Sequence, residues 1–334
     1  MSKVPAEEVP SEEVPAEDTG QEAGASRRVI ELSEPPVLSK LYAKAATAPA
    51  FGALGIRKSG KSFPAVEYRL SGLRAELKQL RDFNRLMHGS DRDELPAGFV
   101  HIMAFPSVIA LMSADGYPLP LLGAVHLENR VQQHRRIDPA ERLAVRVWAQ
   151  NPALHRVGTQ VELAVEVSAE QAGDVVWTGV STYLSRGVRL AGLDQVEGTE
   201  HEKFTAPDAN ARWTLGSDIG RRYAAVSGDI NPIHLSSLSA RALGMKRAIA
   251  HGMYLASRAL TDAKPAGLDA FGWDVRFATP TFIPGTVALR FQEQPIDSVA
   301  PETGVLGSRG AVAFQGWNQR NGKPHFSGSV HPLS

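Results

Sequence analysis

Asp229, Asn231 and His234 stand at positions i, i+2 and i+5 in the segment Tyr223–His234, YAAVSGDINPIH. A carboxylate and an imidazole aimed at one point can hold a water or hydroxyl between them. They can take a proton from it and return one, which is the general acid/base pairing that a hydration or dehydration needs. The neighbouring residues supply a reason for such convergence. Ser217 or Asp218 can cap a helix in which Ile219, Tyr223 and Val226 recur at helical spacing. Gly228 can take a positive φ and end that helix, leaving Asp229 at its C-terminal end. Pro232 cannot continue a helix and biases Asn231 towards extended backbone. The chain is therefore expected to turn sharply between Asp229 and His234. Asn231, with a donor and an acceptor, is placed to hold one of these side chains or the substrate. A plain Asx turn would account for the Asp, Asn and Pro, but not for a titratable His closing the turn.

The pattern Ser227, Gly228, Asp229, Asn231, Pro232 and His234, followed by AHGMYLAS at 250–257, resembles the MaoC-like, (R)-specific enoyl-thioester hydratases, which are also (3R)-hydroxyacyl-thioester dehydratases. The resemblance covers roughly Trp213 to Val330 and implies an α+β fold of the double hot-dog type. In that fold two domains each wrap a curved antiparallel sheet around a long central helix. It further implies that Asp229 and His234 activate the water that adds to the β-carbon and that Asn231 supports the site. The backbone N–H of Gly252 would contact the thioester carbonyl. Close helix–sheet packing is the other reading of Gly252, but the carbonyl contact also has a physical rationale. The first N–H groups of a helix lack partners and favour developing negative charge, as on an enolate oxygen. His251 reads as structural. No cofactor and no metal is expected, since the ten histidines form no recognisable ligand cluster in sequence. A hot-dog thioester hydrolase and a non-catalytic acyl-thioester-binding protein are the two rival readings.

These residues need elements to position them. In the second half, Ala250–Asp262 reads as a helix, followed by strand candidates at Trp273–Ala278, Thr286–Gln292, Gly304–Trp317 and Pro324–Val330. The first half repeats the plan, with a helix at Phe99–Met112 and strands at Ala124–Gln132, Leu143–Gln150, Thr159–Val167 and Val175–Leu184. One helix and a meander of strands, twice over, argues for two fused copies of one small domain. The expected division is an acidic, disordered tail at 1–28, a degenerate domain at 29–186, a linker at 187–210 and the catalytic domain at 211–334.

The first half offers only an echo of the motif, Asp82, Asn84 and His88 in RDFNRLMH, lacking the Gly and Pro that would force a turn. LRAELKQLRDFNRLMH reads instead as one amphipathic helix. In the helix candidate, His101-Ile102-Met103 stands where the second half has His251-Gly252-Met253. Ala104, Phe105, Val108, Ile109 and Met112 either line an acyl channel or are core.

Composition narrows the remaining choices. The chain has no cysteine, which excludes disulfides and thiolate chemistry. No run of eighteen apolar residues suggests a membrane span, and the N-terminus has no secretory pattern, so a cytoplasmic location is expected. Residues 1–26 contain the repeat VPAEE-VPSEE-VPAED and a net charge of −6, leaving +6 on the rest of a chain neutral overall. Such a body suits acyl-CoA or an acyl carrier protein as the thioester partner, and on charge alone an ordinary solvated surface is the other reading. No nucleic-acid partner is expected, and a homodimer is left open.

Overall fold

The computed structural model describes residues 27–47, 62–196, 203–294 and 310–333. The acidic repeat Val4–Asp18, expected to be disordered, lies outside them. So do residues 197–202 of the expected linker and the first part of the Gly304–Trp317 strand candidate.

The first half opens with β1 (Arg28–Leu32), α1 (Leu38–Thr47), β2 (Val66–Leu73), α2 (Leu77–Leu86) and α3 (Ala97–Met112). It continues through β3 (Ala124–Gln133), β4 (Leu143–His155), β5 (Gly158–Ala169) and β6 (Val175–Arg186). The second half comprises β7 (Ala211–Leu215), α4 (Ile219–Ser227), α5 (Pro232–Leu235), α6 (Ser237–Ala242) and α7 (Gly252–Ala263). Four strands close the chain: β8 (Phe271–Phe277), β9 (Gly285–Gln294), β10 (Ala311–Asn318) and β11 (Pro324–Pro332).

Among the described residues, all eleven strands form one sheet in the order β1-β2-β4-β5-β6-β3-β8-β11-β10-β9-β7. Apart from parallel β1 against β2, every pairing is antiparallel. The order is two-fold: β2-β4-β5-β6-β3 mirrors β7-β9-β10-β11-β8, and the halves join where β3 pairs with β8. Opposite charges face each other there, Arg130 opposite Asp274. This is the expected α+β double hot-dog arrangement, with one refinement. The first strand after each central helix does not pair with the strand that follows it; it lies beyond the three-strand meander, at the seam.

Each half-sheet wraps a central helix. Helix α3 is apolar on every side, and 14 of its 16 residues are buried, as expected for a helix with sheet on one flank and helices on the other. Phe99 and Leu111 are fully buried, each contributing ~1.5–3 kcal/mol of transfer free energy. Ala104, Phe105, Val108, Ile109 and Met112 belong to the continuous core. Helices α3 and α7 meet where Gly98 lies against Ser257, with only 2.9 Å left between an added Cβ and the serine Cβ. The helix expected over LRAELKQLRDFNRLMH is shorter, because the side chain of Glu76 caps it, accepting from Lys78 N–H at 3.1 Å and Gln79 N–H at 2.6 Å.

Of the segment expected as a linker, the described parts are tied to strands. Thr159 Oγ1 donates to Val188 O at 2.9 Å, and the Asn210 side chain donates to Phe291 O at 2.7 Å.

Candidate active site

Helix α4 ends as its sequence implies. Gly228 is left-handed at φ 74°, and its N–H donates to Ala224 O at 2.8 Å. Asp218 occupies the N-cap position but makes no side-chain cap bond. Beyond Gly228 the chain reverses. The Asp229 N–H donates to Ser227 Oγ at 3.1 Å, and the Asn231 N–H to Asp229 Oδ1 at 3.1 Å. Pro232 then opens the single turn α5 that carries His234. Asn231 is the cap of that turn, its Oδ1 accepting from Ile233 N–H at 3.4 Å. Its backbone N–H and its side-chain oxygen both hold the turn. Gly220 of α4 lets α5 close in, since a Cβ there would run into the His234 carbonyl.

The turn brings Asp229 and His234 together, and it adds a third group that the sequence reading treated as structural. One ligand-type atom from each of Asp229, His234 and His251 lies within 4.8 Å of the others. The His234 and His251 rings stack with centroids 3.7 Å apart. His234 Nδ1 lies 2.9 Å from Ile249 O, which can only accept, so Nδ1 carries the proton and Nε2 keeps a free lone pair. By the same logic His251 Nε2, 3.0 Å from Asp229 O, is the protonated nitrogen. His251 Nε2 is also 3.7 Å from Asp229 Oδ2. Among the described residues these three form the cluster that could hold a cation. Each histidine spends one ring nitrogen on a backbone carbonyl and keeps the other bare; stacked, nearly parallel rings do not direct those two lone pairs at one tetrahedral centre.

Burial sets the electrostatics. It depresses His234, and it pushes His251 down to about 3, aided by the neighbouring His234. Both imidazoles are therefore neutral near pH 7. Burial works to raise the Asp229 carboxyl, but the adjacent His251, His234, Tyr42 hydroxyl and Asn231 N–H outweigh it and hold it below the usual carboxylate range.

Gly252 is the first residue of α7, with His251 as its cap residue and no side-chain cap bond. A Cβ at Gly252 would meet the Phe277 ring at 3.0 Å. The opening turn of α7 is thus flanked by the Asp229–His234 turn on one side and β8 on the other.

Several residues near this site escaped the sequence reading. Tyr42 on α1 donates to Asp229 Oδ1 at 2.7 Å. His126 on β3 stacks on Tyr183 of β6 at 4.5 Å and lies 5.1 Å from Phe277. His101 does not occupy the place of His251. Pro96 starts α3 at Ala97, so His101 lies inside the helix, buried and stacked on Phe105. A tyrosine on an apolar helical stripe, whose hydroxyl must find a partner, was the signal for Tyr42.

The echo in the first half assembles nothing similar. Asp82 pairs with Lys78 at 2.6 Å, and Asn84 donates to Asp91 at 3.0 Å. His88, at φ 60°, lines a cleft of 210 Å³ with Asp262 and Lys264 at the opposite end of α7.

Known proteins share this sequence and architecture. Residues 200–309 match the family model described as "MaoC like domain". The 3-hydroxyacyl-thioester dehydratase X of Mycobacterium tuberculosis is 36% identical over 202 residues, which is 60% of this chain and 71% of that protein. The crystal structure of HtdX from M. tuberculosis superposes with a TM-score of 0.66 at 28% identity, covering 80% of this chain and 100% of the other. An acyl-ACP thioesterase from Bacteroides thetaiotaomicron matches at a TM-score of 0.51 and 13% identity, over 79% of this chain and 97% of its own. That match speaks to the fold alone, so the site must decide between chemistries. The signature turn, the architecture and the kinship together place this chain in the MaoC-like dehydratase family.

Proposed function

We propose that this protein is a hydro-lyase that dehydrates (3R)-hydroxyacyl thioesters to trans-2-enoyl thioesters, and hydrates them in reverse. The observation that carries the reading is the convergence of Asp229 and His234 beside the first turn of α7. In the hydration direction the pair holds a water, whose oxygen adds to C3 while a proton is delivered to C2. Dehydration removes the C2 proton and releases the C3 hydroxyl as water. His234, neutral with a bare Nε2, and Asp229, ionised, form the acceptor side of that exchange as a coupled pair. The Gly252 N–H contacts the thioester carbonyl and stabilises the enolate oxygen. Asn231 serves by capping the turn that presents His234. The reaction uses no cofactor in this reading, and the substrate is an acyl-CoA or an acyl carrier protein thioester.

The proposed division follows the two-fold order of the sheet, with a degenerate half at 29–186, a connecting segment at 187–210 and a catalytic half at 211–334. Among the described residues no helix is long and apolar enough to cross a membrane. The decisive assay follows loss of enoyl absorbance with crotonyl-CoA and longer enoyl-CoA substrates, alongside free-thiol release. A (3R)-hydroxy product without thiol release is expected. Thiol release without hydration would assign the chain to thioester hydrolysis instead.

A further inference from the structure

The acid/base turn belongs to the second half, yet one carboxylate oxygen is held by the first. Tyr42, buried on α1, donates to Asp229 Oδ1 at 2.7 Å across 187 positions of sequence. The Asn231 N–H donates to the same oxygen at 3.1 Å. Among the described residues Oδ2 accepts no hydrogen bond, and it lies 3.7 Å from His251 Nε2. Helix α1 is seated on the turn at a second point, because Leu38 Cδ1 lies against Gly228, 2.8 Å from where a Cβ would stand. Near its other end Lys44 Nζ lies 3.1 Å from Asp115, an exposed pair that adds little to the seating.

We propose that Tyr42 is the positioning residue of Asp229: by pinning Oδ1 it turns Oδ2 towards the space shared with His234. The kinetic consequence rests on the dehydratase reading; the hydrogen bond itself does not. The titratable groups facing Asp229 are Tyr42 on α1, His234 on α5 and His251 ahead of α7. Tyr223 on α4, His101 on α3, His126 on β3 and Tyr183 on β6 act from further away. Of these, only the Tyr42 hydroxyl donates to the carboxylate side chain at hydrogen-bond distance. Removing it takes a charge-assisted bond from the ionised form. The carboxyl then protonates at higher pH and its orientation is freed.

Tyr42→Phe keeps the ring and removes only the donor. It is expected to lower kcat roughly tenfold or more with KM changed little. The part of the acidic limb of the kcat/KM profile set by the Asp229 carboxyl should move to higher pH. Val312→Ala, a core truncation on β10 remote from the site, should lower Tm without moving that limb. Carbon-13 NMR titration of the Asp229 carboxyl needs no turnover, and its midpoint should rise in Tyr42→Phe. An unmoved midpoint, even with activity lost and Tm lowered, overturns the proposal and leaves Tyr42 as packing. A wild-type protein inert towards enoyl thioesters would sink the dehydratase reading, while the NMR midpoint still decides Tyr42. If Tyr42→Phe does not fold, Leu38→Ala loosens the seat of α1 with the phenol retained. The same upward displacement is expected there, and an unchanged midpoint counts against the proposal.

Discussion

Both halves leave a short helix through a left-handed residue, Gly228 at φ 74° after α4 and His88 at φ 60° after α2. Both then reach the first turn of a central helix. Only in the second half does the intervening chain fold back on itself, because Asn231 caps a turn that Pro232 opens. In the first half the positive φ costs His88 ~1 kcal/mol and brings no second reactive group to the Asp82 carboxylate. A left-handed residue ends a helix; it takes the capped, proline-led turn after it to aim two side chains at one point. Strand order is shared by halves with and without such a cluster, so the cluster follows from the local turn and not from the repeat.

The comparison breaks most sharply at the acid/base pair. Asp229→Asn and His234→Ala are each expected to reduce enoyl-CoA hydration by ~100-fold or more while leaving the fold intact. Near wild-type turnover in either variant would remove the distinction between the halves. Next come the two glycines in the first turns of the central helices. Gly252→Val places methyl groups against Phe277 and crowds the thioester, and should cost ~3 kcal/mol in the rate step, or about 100-fold. Its Tm is measured beside turnover so that poor packing is not mistaken for a lost contact. Gly98→Ala instead drives a Cβ into Ser257. It should cost ~1–3 kcal/mol of stability and show in Tm before kcat. Equal kinetic effects at both glycines would mean that both helix starts bind substrate.

A pH experiment sharpens the contrast further. Burial depresses His101 to about 4, with His126 and His251 at about 3. The unfolded chain takes up these protons near pH 6.5, so the stability held by the neutral imidazoles is complete above that pH. It is lost as pH falls from about 6.5 towards 3–4, by up to ~1.4 kcal/mol per unit for each histidine. His101→Phe should therefore flatten the decline of urea midpoint between pH 7 and 5. A slope identical to wild type would show that His101 is already charged in the folded protein. The smallest effect is expected for Asp82→Ala combined with His88→Ala. Turnover should stay within a small factor, because the Asp82 pairs are exposed surface ones. Substantial loss of activity with the fold retained would reveal a working site in the first half.

The central helices and most strands were legible in the sequence because their apolar patterns are long. The Asp229–His234 turn was legible because Gly228 and Pro232 leave the backbone few alternatives. β1, β2 and β7 were not marked out, since a short sheet-edge segment carries too few residues for a period to stand out. The seam order of β3 and β8 is a long-range pairing that no local pattern encodes. His251 was undervalued for a related reason. Its neighbour Gly252 explained the motif, and nothing local shows that a ring 17 residues beyond His234 stacks on it. Tyr42 lies 187 positions from the carboxylate it touches, beyond the reach of any spacing argument.

The seam has a consequence for biosynthesis. During translation the first half can complete β3 through β6 while the outer edge of β3 still lacks its partner. That edge stays open until β8 emerges, and at ~5–20 residues per second the wait lasts seconds. An unpaired strand edge is a template for another chain. Nascent or truncated copies ending between Arg186 and Phe271 should therefore be the aggregation-prone species of this protein. Supplying the second half in trans should rescue their solubility.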